Sequence, residues 1–254
     1  MCTLTIIPAR DGLGRTVGYR AVTSRDELRS RPEAVVPSIA PGTEIPACWP
    51  TDPLAGGTWI AASASGLALC LLNVNLGDAE PTTQAPRTRG ELIPRLIDLP
   101  SAEDVSAELR SMALNHYRPF RLVTMTRDGI TDARWDRCRL LETTRELEPT
   151  CFVSSGLGDH MVEPRLMLFE TLFRHSGPGS RQTSEMQDSF HRHVWNRHEH
   201  ISVMMNRDDA RTSSITTVDV GWESPGAAPT VDMTFSDDAG TSLLSLSGLM
   251  TPAC

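Results

Sequence analysis

The sequence predicts an α+β fold in which helices pack on antiparallel sheets, and three observations point to it. Strand-like and helix-like segments come in blocks (strands, a helix pair, strands, a second helix pair, strands) and do not alternate as βαβ units do. The run "LALCLL" (residues 67–72) is apolar on both faces, as a strand covered on both sides requires. No GxGxxG or GxxxxGK[ST] element is present, so nucleotide binding through a phosphate loop has no support.

The bulk properties fit this class. At 254 residues, with 39% hydrophobic and 22% charged residues, the chain is long enough for one sizeable core, and we read residues 1–254 as a single domain. A net charge of −8 argues against nucleic acid as a partner. No apolar window is long enough to span a membrane, and "MCTLTIIPARDGLGR" lacks the basic start and apolar run of a signal peptide, so a cytoplasmic location is expected. The six cysteines are scattered without a CxxC pair, which argues for reduced thiols and against a disulfide framework or a zinc knuckle.

Taken in order, "TLTII" is a short β-branched strand, "DGLG" a turn and "GYRAVTS" the returning strand of a hairpin. The proline-rich stretch 29–53 has no sustained periodicity and reads as an ordered surface loop. Residues 58–63 and 67–73 are two strands joined at Ser65-Gly66. "TRGELIPRLIDL" then places Leu92, Leu96 and Leu99 on one helical face, with Pro94 in the first turn, where its missing N–H is tolerated. "SAEDVSAELRSMAL" begins with Ser101 as N-cap and continues with Val105, Leu109 and Met112 as a stripe. Strands are expected at "FRLVTMT", "RCRLLET" and "TCFVSS", helices at "EPRLMLFETLFRH" and "SEMQDSFHRHVWN", and closing strands at "ISVMMN", "SSITTVDVG" and "TVDMTF". The tail after about residue 238 reads as loosely ordered.

Cys2 is the first residue with chemical interest. If Met1 is trimmed, it carries a thiol and an α-amine, a nucleophile and a base that both work near neutral pH. The other reading is a small apolar residue at the start of a buried strand. Arg25 and Asp26 in "SRDELRSRP" fall where the returning strand comes back to the start of the first. There a guanidinium favours thiolate and a carboxylate can hold an amine, unless both belong to a solvated turn.

"MC" at the terminus, "SRDELRSRP", "GGTWIAASASGLALCLLN" and "TRGELIPRLI", in this order, and "ARTSSITTVD" (residues 210–219), together resemble the NRDE family, also called the transport and Golgi organisation 2 family. Arg25, Asp26, Glu27 and the later Arg31-Pro32 match the family's signature, with Ser24 in place of its asparagine. The resemblance implies a four-layer αββα sandwich of two antiparallel sheets, as in N-terminal nucleophile hydrolases. It also implies roles: Cys2 as nucleophile with its own α-amine as base, Asp26 positioning that amine, Arg25 lowering the thiol pKa, Asn73 donating to the oxyanion and Arg211 completing the charge network. No cofactor is implied. The expected activity is cleavage of a non-peptide amide (C–N) bond of a small-molecule substrate through a thioester acyl-enzyme. The alternative is a non-catalytic carrier or trafficking factor for haem or lipid/acyl ligands on the same fold. Where the family commonly has a Ser-Asn pair this chain has Ser155-Gly156, and Asn75 is the candidate substitute donor.

Two further features have more than one reading. His191, His193, His198 and His200 in "FHRHVWNRHEH" form two HxH pairs that would need extended backbone to share a metal; a solvated, arginine-rich helix terminus is the default. Trp59 either walls a substrate cleft or packs in the core.

Overall fold

Alternation along the first hairpin sets up the architecture. In β1 (Cys2–Arg10) the side chains of Cys2, Leu4 and Ile6 point one way and those of Thr3, Thr5 and Ile7 the other, and all six are buried. Such a strand needs a covered layer on each side. β2 (Thr16–Leu28) returns antiparallel beside it, with Tyr19 and Ala21 on the face of Leu4 and Ile6. The computed structural model describes residues 2–75, 87–173, 183–224 and 227–249.

The remaining strands are β3 (Val35–Ile39), β4 (Ala47–Thr51), β5 (Ile60–Ser63), β6 (Ala68–Asn73), β7 (Phe120–Thr126), β8 (Gly129–Trp135), β9 (Leu140–Arg145), β10 (Thr150–Val153), β11 (Ala210–Gly221), β12 (Thr230–Asp237) and β13 (Gly240–Ser245). One sheet has the order β10-β1-β2-β11-β12-β13; the other is a meander running from β3 to β9 in sequence order. Every pairing in both is antiparallel. Between the sheets lies one core that includes Leu4, Ile6, Ile60, Leu72, Val123 and Phe235.

A helical layer covers each outer face. α1 (Leu92–Leu96) and α2 (Ala102–Ser111) close the meander with Leu92, Leu96, Val105 and Leu109 against Leu69 and Leu71. Ser101 caps α2 as its sequence predicts, its Oγ accepting from Asp104 N at 3.1 Å. α3 (Glu163–Phe173) and α4 (Ser184–His191) cover the other sheet. Phe169, Phe173 and Phe190 meet there with ring centroids 4.6 to 6.4 Å apart, over Ile7. The chain is thus the α+β, αββα sandwich expected from the sequence.

Several local expectations fail for physical reasons. The proline-rich stretch 29–53 is not a loop throughout: it holds β3 and β4, and Pro37 is tolerated because β3 is an edge strand. β8, "GITDARW", is a strand that the sequence pattern does not mark, because Asp132 and Arg134 interrupt its apolar run. "ISVMMN" forms turns instead of a strand; Ser202 Oγ accepts from Trp195 N and donates to His198 O, and Val203 plugs the core beneath α3 and α4. The segment after 238 pairs as β13 on β12, so only residues 250–254 of the predicted loose tail fall outside the described residues. α4 stops at His191, short of "RHVWN".

One close approach positions the start of β5. Thr58 N donates to Gly90 O at 3.1 Å, and a Cβ on Gly57 would stand 2.5 Å from the Gly90 carbonyl carbon. Both obstacles are backbone, so Gly57→Ala forces the two segments apart. A loss of about 1–3 kcal/mol is expected, read as a lower urea midpoint at unchanged m-value.

Candidate active site

The head of β1 is held from both sides. Cys2 stands opposite Arg25 on β2, and on the other flank Ser154, directly after β10, donates its N–H to Cys2 O at 2.9 Å. In return the Cys2 N–H donates to Ser154 Oγ at 3.0 Å. Cys2 is 6% exposed, at the rim of the core between the sheets. Burial pushes its thiol above the ordinary value; the Asp26 and Glu27 carboxylates add to the rise and the Arg25 guanidinium opposes it.

Arg25 belongs to a charge cluster that joins the two sheets. Its guanidinium meets Glu27 Oε2 at 3.1 Å and Asp52 Oδ2 at 3.2 Å, and lies 4.4 Å from the ring centre of Trp59. Arg31 reaches the same Asp52 oxygen at 2.5 Å. Asp52 is placed by its own turn, where Oδ1 accepts from Leu54 N. Trp59 is core packing beneath Arg25, with its Nε1 buried and unpartnered among the described residues.

Asp26 faces the other way. Neighbours in a strand point to opposite faces, so with Arg25 toward the core Asp26 turns toward α3 and α4. There it accepts from Arg165 Nη1 at 3.1 Å and from Thr212 Oγ1 at 2.6 Å, and Arg165 also donates to Thr3 Oγ1 at 2.7 Å. Arg165 and Asp26 are each 1% exposed. Beside them His191 bridges Thr5 Oγ1 and Ser24 Oγ, both at 2.7 Å, and Gln187 donates to Thr5. Burial, reinforced by Arg20, Arg165 and Arg192, pushes the His191 pKa down to about 3.

The other predicted residues separate. Asn73 ends β6 opposite Phe120, half-buried, its side chain without a hydrogen-bond partner among the described residues. Alternation sets it on the Leu71 side of its sheet, the face that α1 and α2 cover, whereas Cys2 borders the core between the sheets. Asn75 is committed: its Nδ2 donates to Asp159 Oδ1 at 3.1 Å, and the same oxygen accepts from Ser155 N. Arg211, opposite Glu27, turns outward to Glu33 at 2.9 Å and to Asp238, so it does not join Asp26. Arg165 is the arginine that pairs with Asp26, and neither Arg165 nor Ser154 stands out in the sequence. The four histidines do not converge. His191 has both ring nitrogens engaged in the core, and among the described residues no group of three or more His, Cys, Asp or Glu side chains could hold a metal. A groove of about 990 Å³ lies at the opposite end of β1, lined by Arg10, Tyr19, Arg20, Asp219 and Asp232, away from Cys2.

Two antiparallel sheets stacked between helical layers define the class of fold, that of the N-terminal nucleophile hydrolases. The N-acylethanolamine-hydrolyzing acid amidase ortholog of Caenorhabditis elegans shares this fold at a TM-score of 0.57 and 8% identity, over 84% of this chain and 91% of that one. The C2A mutant of conjugated bile acid hydrolase from Clostridium perfringens aligns over 97% of each chain at 10% identity and a TM-score of 0.48. The family profile of Transport and Golgi organisation 2 matches residues 13–218, and the chain belongs to that family. That match contains Arg25, Asp26, Asn73 and Arg211 and begins after Cys2. No curated protein matches the sequence. No helix among the described residues is long and apolar enough to cross a membrane.

The depressed His191 pKa has a consequence for stability. Unfolded, the imidazole titrates near 6.5; folded, it stays neutral down to about 3. Its contribution is therefore fully present above pH 6.5 and is lost as pH falls toward 3, at up to about 1.4 kcal/mol per pH unit. Urea unfolding between pH 7 and pH 5 should show this slope, and His191→Gln should flatten it.

Proposed function

We propose that the chain is an N-terminal cysteine amidohydrolase that cleaves a non-peptide C–N bond of a small molecule through a thioester on Cys2. The observation that supports this most is the Ser154 hydroxyl held 3.0 Å from Cys2 N, at a strand head with Arg25 opposite. Cleavage of the Met1–Cys2 bond turns that amide nitrogen into an α-amine whose hydrogen-bond partner is already in place. The amine takes the thiol proton, and the sulfur adds to the substrate carbonyl. Asn73, half-buried at the end of β6, is the donor we assign to the resulting oxyanion, a contact of a kind worth about 3 kcal/mol. The ammonium protonates the leaving nitrogen as the C–N bond breaks. Water, deprotonated by the amine, then cleaves the thioester and releases the acid.

In this reading Arg25 offsets part of the burial that disfavours thiolate, while Asp26 acts indirectly by fixing β2, β11 and α3 together. All five cysteines among the described residues are unpaired, which fits the cytoplasmic location we assign.

Intact-mass measurement should find the active protein starting at Cys2. Cys2→Ala, folded by circular dichroism, should give no acyl adduct with an activated amide panel; turnover by a Met1-retaining chain or by Cys2→Ala would refute the mechanism. Ser154→Ala removes one hydrogen bond to the amine, so acylation should slow about tenfold, with its pH profile displaced.

A further inference from the structure

We propose that the seam between the sheets beside Cys2 is a subsite for a compact, neutral, hydrogen-bonding acyl group. This rests on the reading that substrates reach Cys2. Cys2, Arg25 and Ser214 stand in register across β1, β2 and β11, and one row deeper stand Leu4, Thr23 and Thr216. These rows face the inter-sheet core, and Trp59 enters from the other sheet beneath Arg25. Ser214 Oγ, Thr23 Oγ1, Thr216 Oγ1 and Trp59 Nε1 are all buried without a hydrogen-bond partner among the described residues. Thr23 lies against the Cys70 thiol, a weak partner.

The opposite face of the same strands shows that this is not general looseness. Thr3, Thr5 and Ser24 are buried there and Thr212 is half-buried, and each hydroxyl has a partner. Four open polar groups gathered beside the nucleophile are instead donors and acceptors for something that arrives.

Their chemistry selects the ligand. An alkyl acyl chain would leave the hydroxyls and the indole N–H unpartnered, which is unfavourable in a buried site. A carboxylate would lack a countercharge, because Arg25 is already matched by Glu27 and Asp52. A hydroxyacyl or amidoacyl group satisfies the site. It must be short, because Thr23 and Thr216 lie one row in and are fully buried.

The test uses the full chain with Met1 removed by an aminopeptidase, and probes that require no turnover. The Cys2 thiolate displaces iodide from 2-iodoacetamide, iodoacetate or 1-iodopropane. Each rate constant, read by peptide mass, is divided by that of the free peptide Cys-Thr-Leu. The normalised preference for iodoacetamide over iodopropane should be about tenfold or more, with iodoacetate no better than iodopropane. Thr216→Val and Ser214→Ala should each bring the preference to within about threefold of unity. Both should melt no lower than the parent, since each removes an unpartnered hydroxyl, so misfolding cannot imitate the result. A preference absent in the parent, or unchanged in both variants, overturns the subsite. The probe preference without any amide turnover would uphold the subsite and remove the hydrolase reading.

Discussion

The register of β1 against β2, which sets Cys2 opposite Arg25, is the constraint on which the arrangement around Cys2 depends. Strand side chains alternate, so a register that gives Arg25 to the core face gives Asp26 to the helix face. Both assignments are then stabilised by partners from different layers. Asp52 and Trp59 of the meander receive Arg25, and Arg165 of α3 receives Asp26. A slip of one residue would expose both charges to the wrong layer, and neither would find its counterion.

The two charge clusters differ in kind. Arg25, Arg31, Glu27 and Asp52 sit at the rim, where water moderates both their attraction and their desolvation. Arg165 and Asp26 are a pair at 1% exposure, and removing either leaves a charge that costs about 3–5 kcal/mol to bury alone. Thr3, Thr212 and the Ile201 carbonyl meet their other hydrogen-bonding needs. The pair fastens β1, β2, β11 and α3 at one point and so fixes the strand head that carries Cys2. The Asp26 charge is felt at the sulfur as an upward push on the thiol pKa.

The layers and most strands were legible in the sequence because periodicity records burial directly. "TLTII", "LALCLL" and "SSITTVDVG" each sit in their sheets. Ser101 was legible as a cap because its partner lies three residues on. What the sequence did not disclose depends on distant partners. Arg165, within "EPRLMLFETLF", looks like a solvated charge on an apolar helix; only the fold shows that it points at Asp26, 139 residues away. Ser154 is one small polar residue after a strand, and its importance comes from the strand beside it. Arg211 illustrates the reverse: the family resemblance placed it on a strand, where β11 has it, and only the fold shows its guanidinium meeting Glu33 and Asp238.

The distribution of satisfied and open polar groups on one sheet separates structure from function more sharply than any motif. On the helix face every hydroxyl of β1 and β2 named above is spoken for, and a histidine is kept neutral so that it can bridge two of them. That is how a buried polar layer behaves when its task is to specify the packing of α3 and α4 on the sheet. On the core face, Thr23 and Thr216 carry hydroxyls where valine would fill the same volume at lower energetic cost. A stability argument alone predicts valine there. The hydroxyls stand in the row next to the best candidate nucleophile in the chain, where a polar group arriving with a substrate would complete them, and that coincidence of position with unfulfilled chemistry gives them a functional meaning.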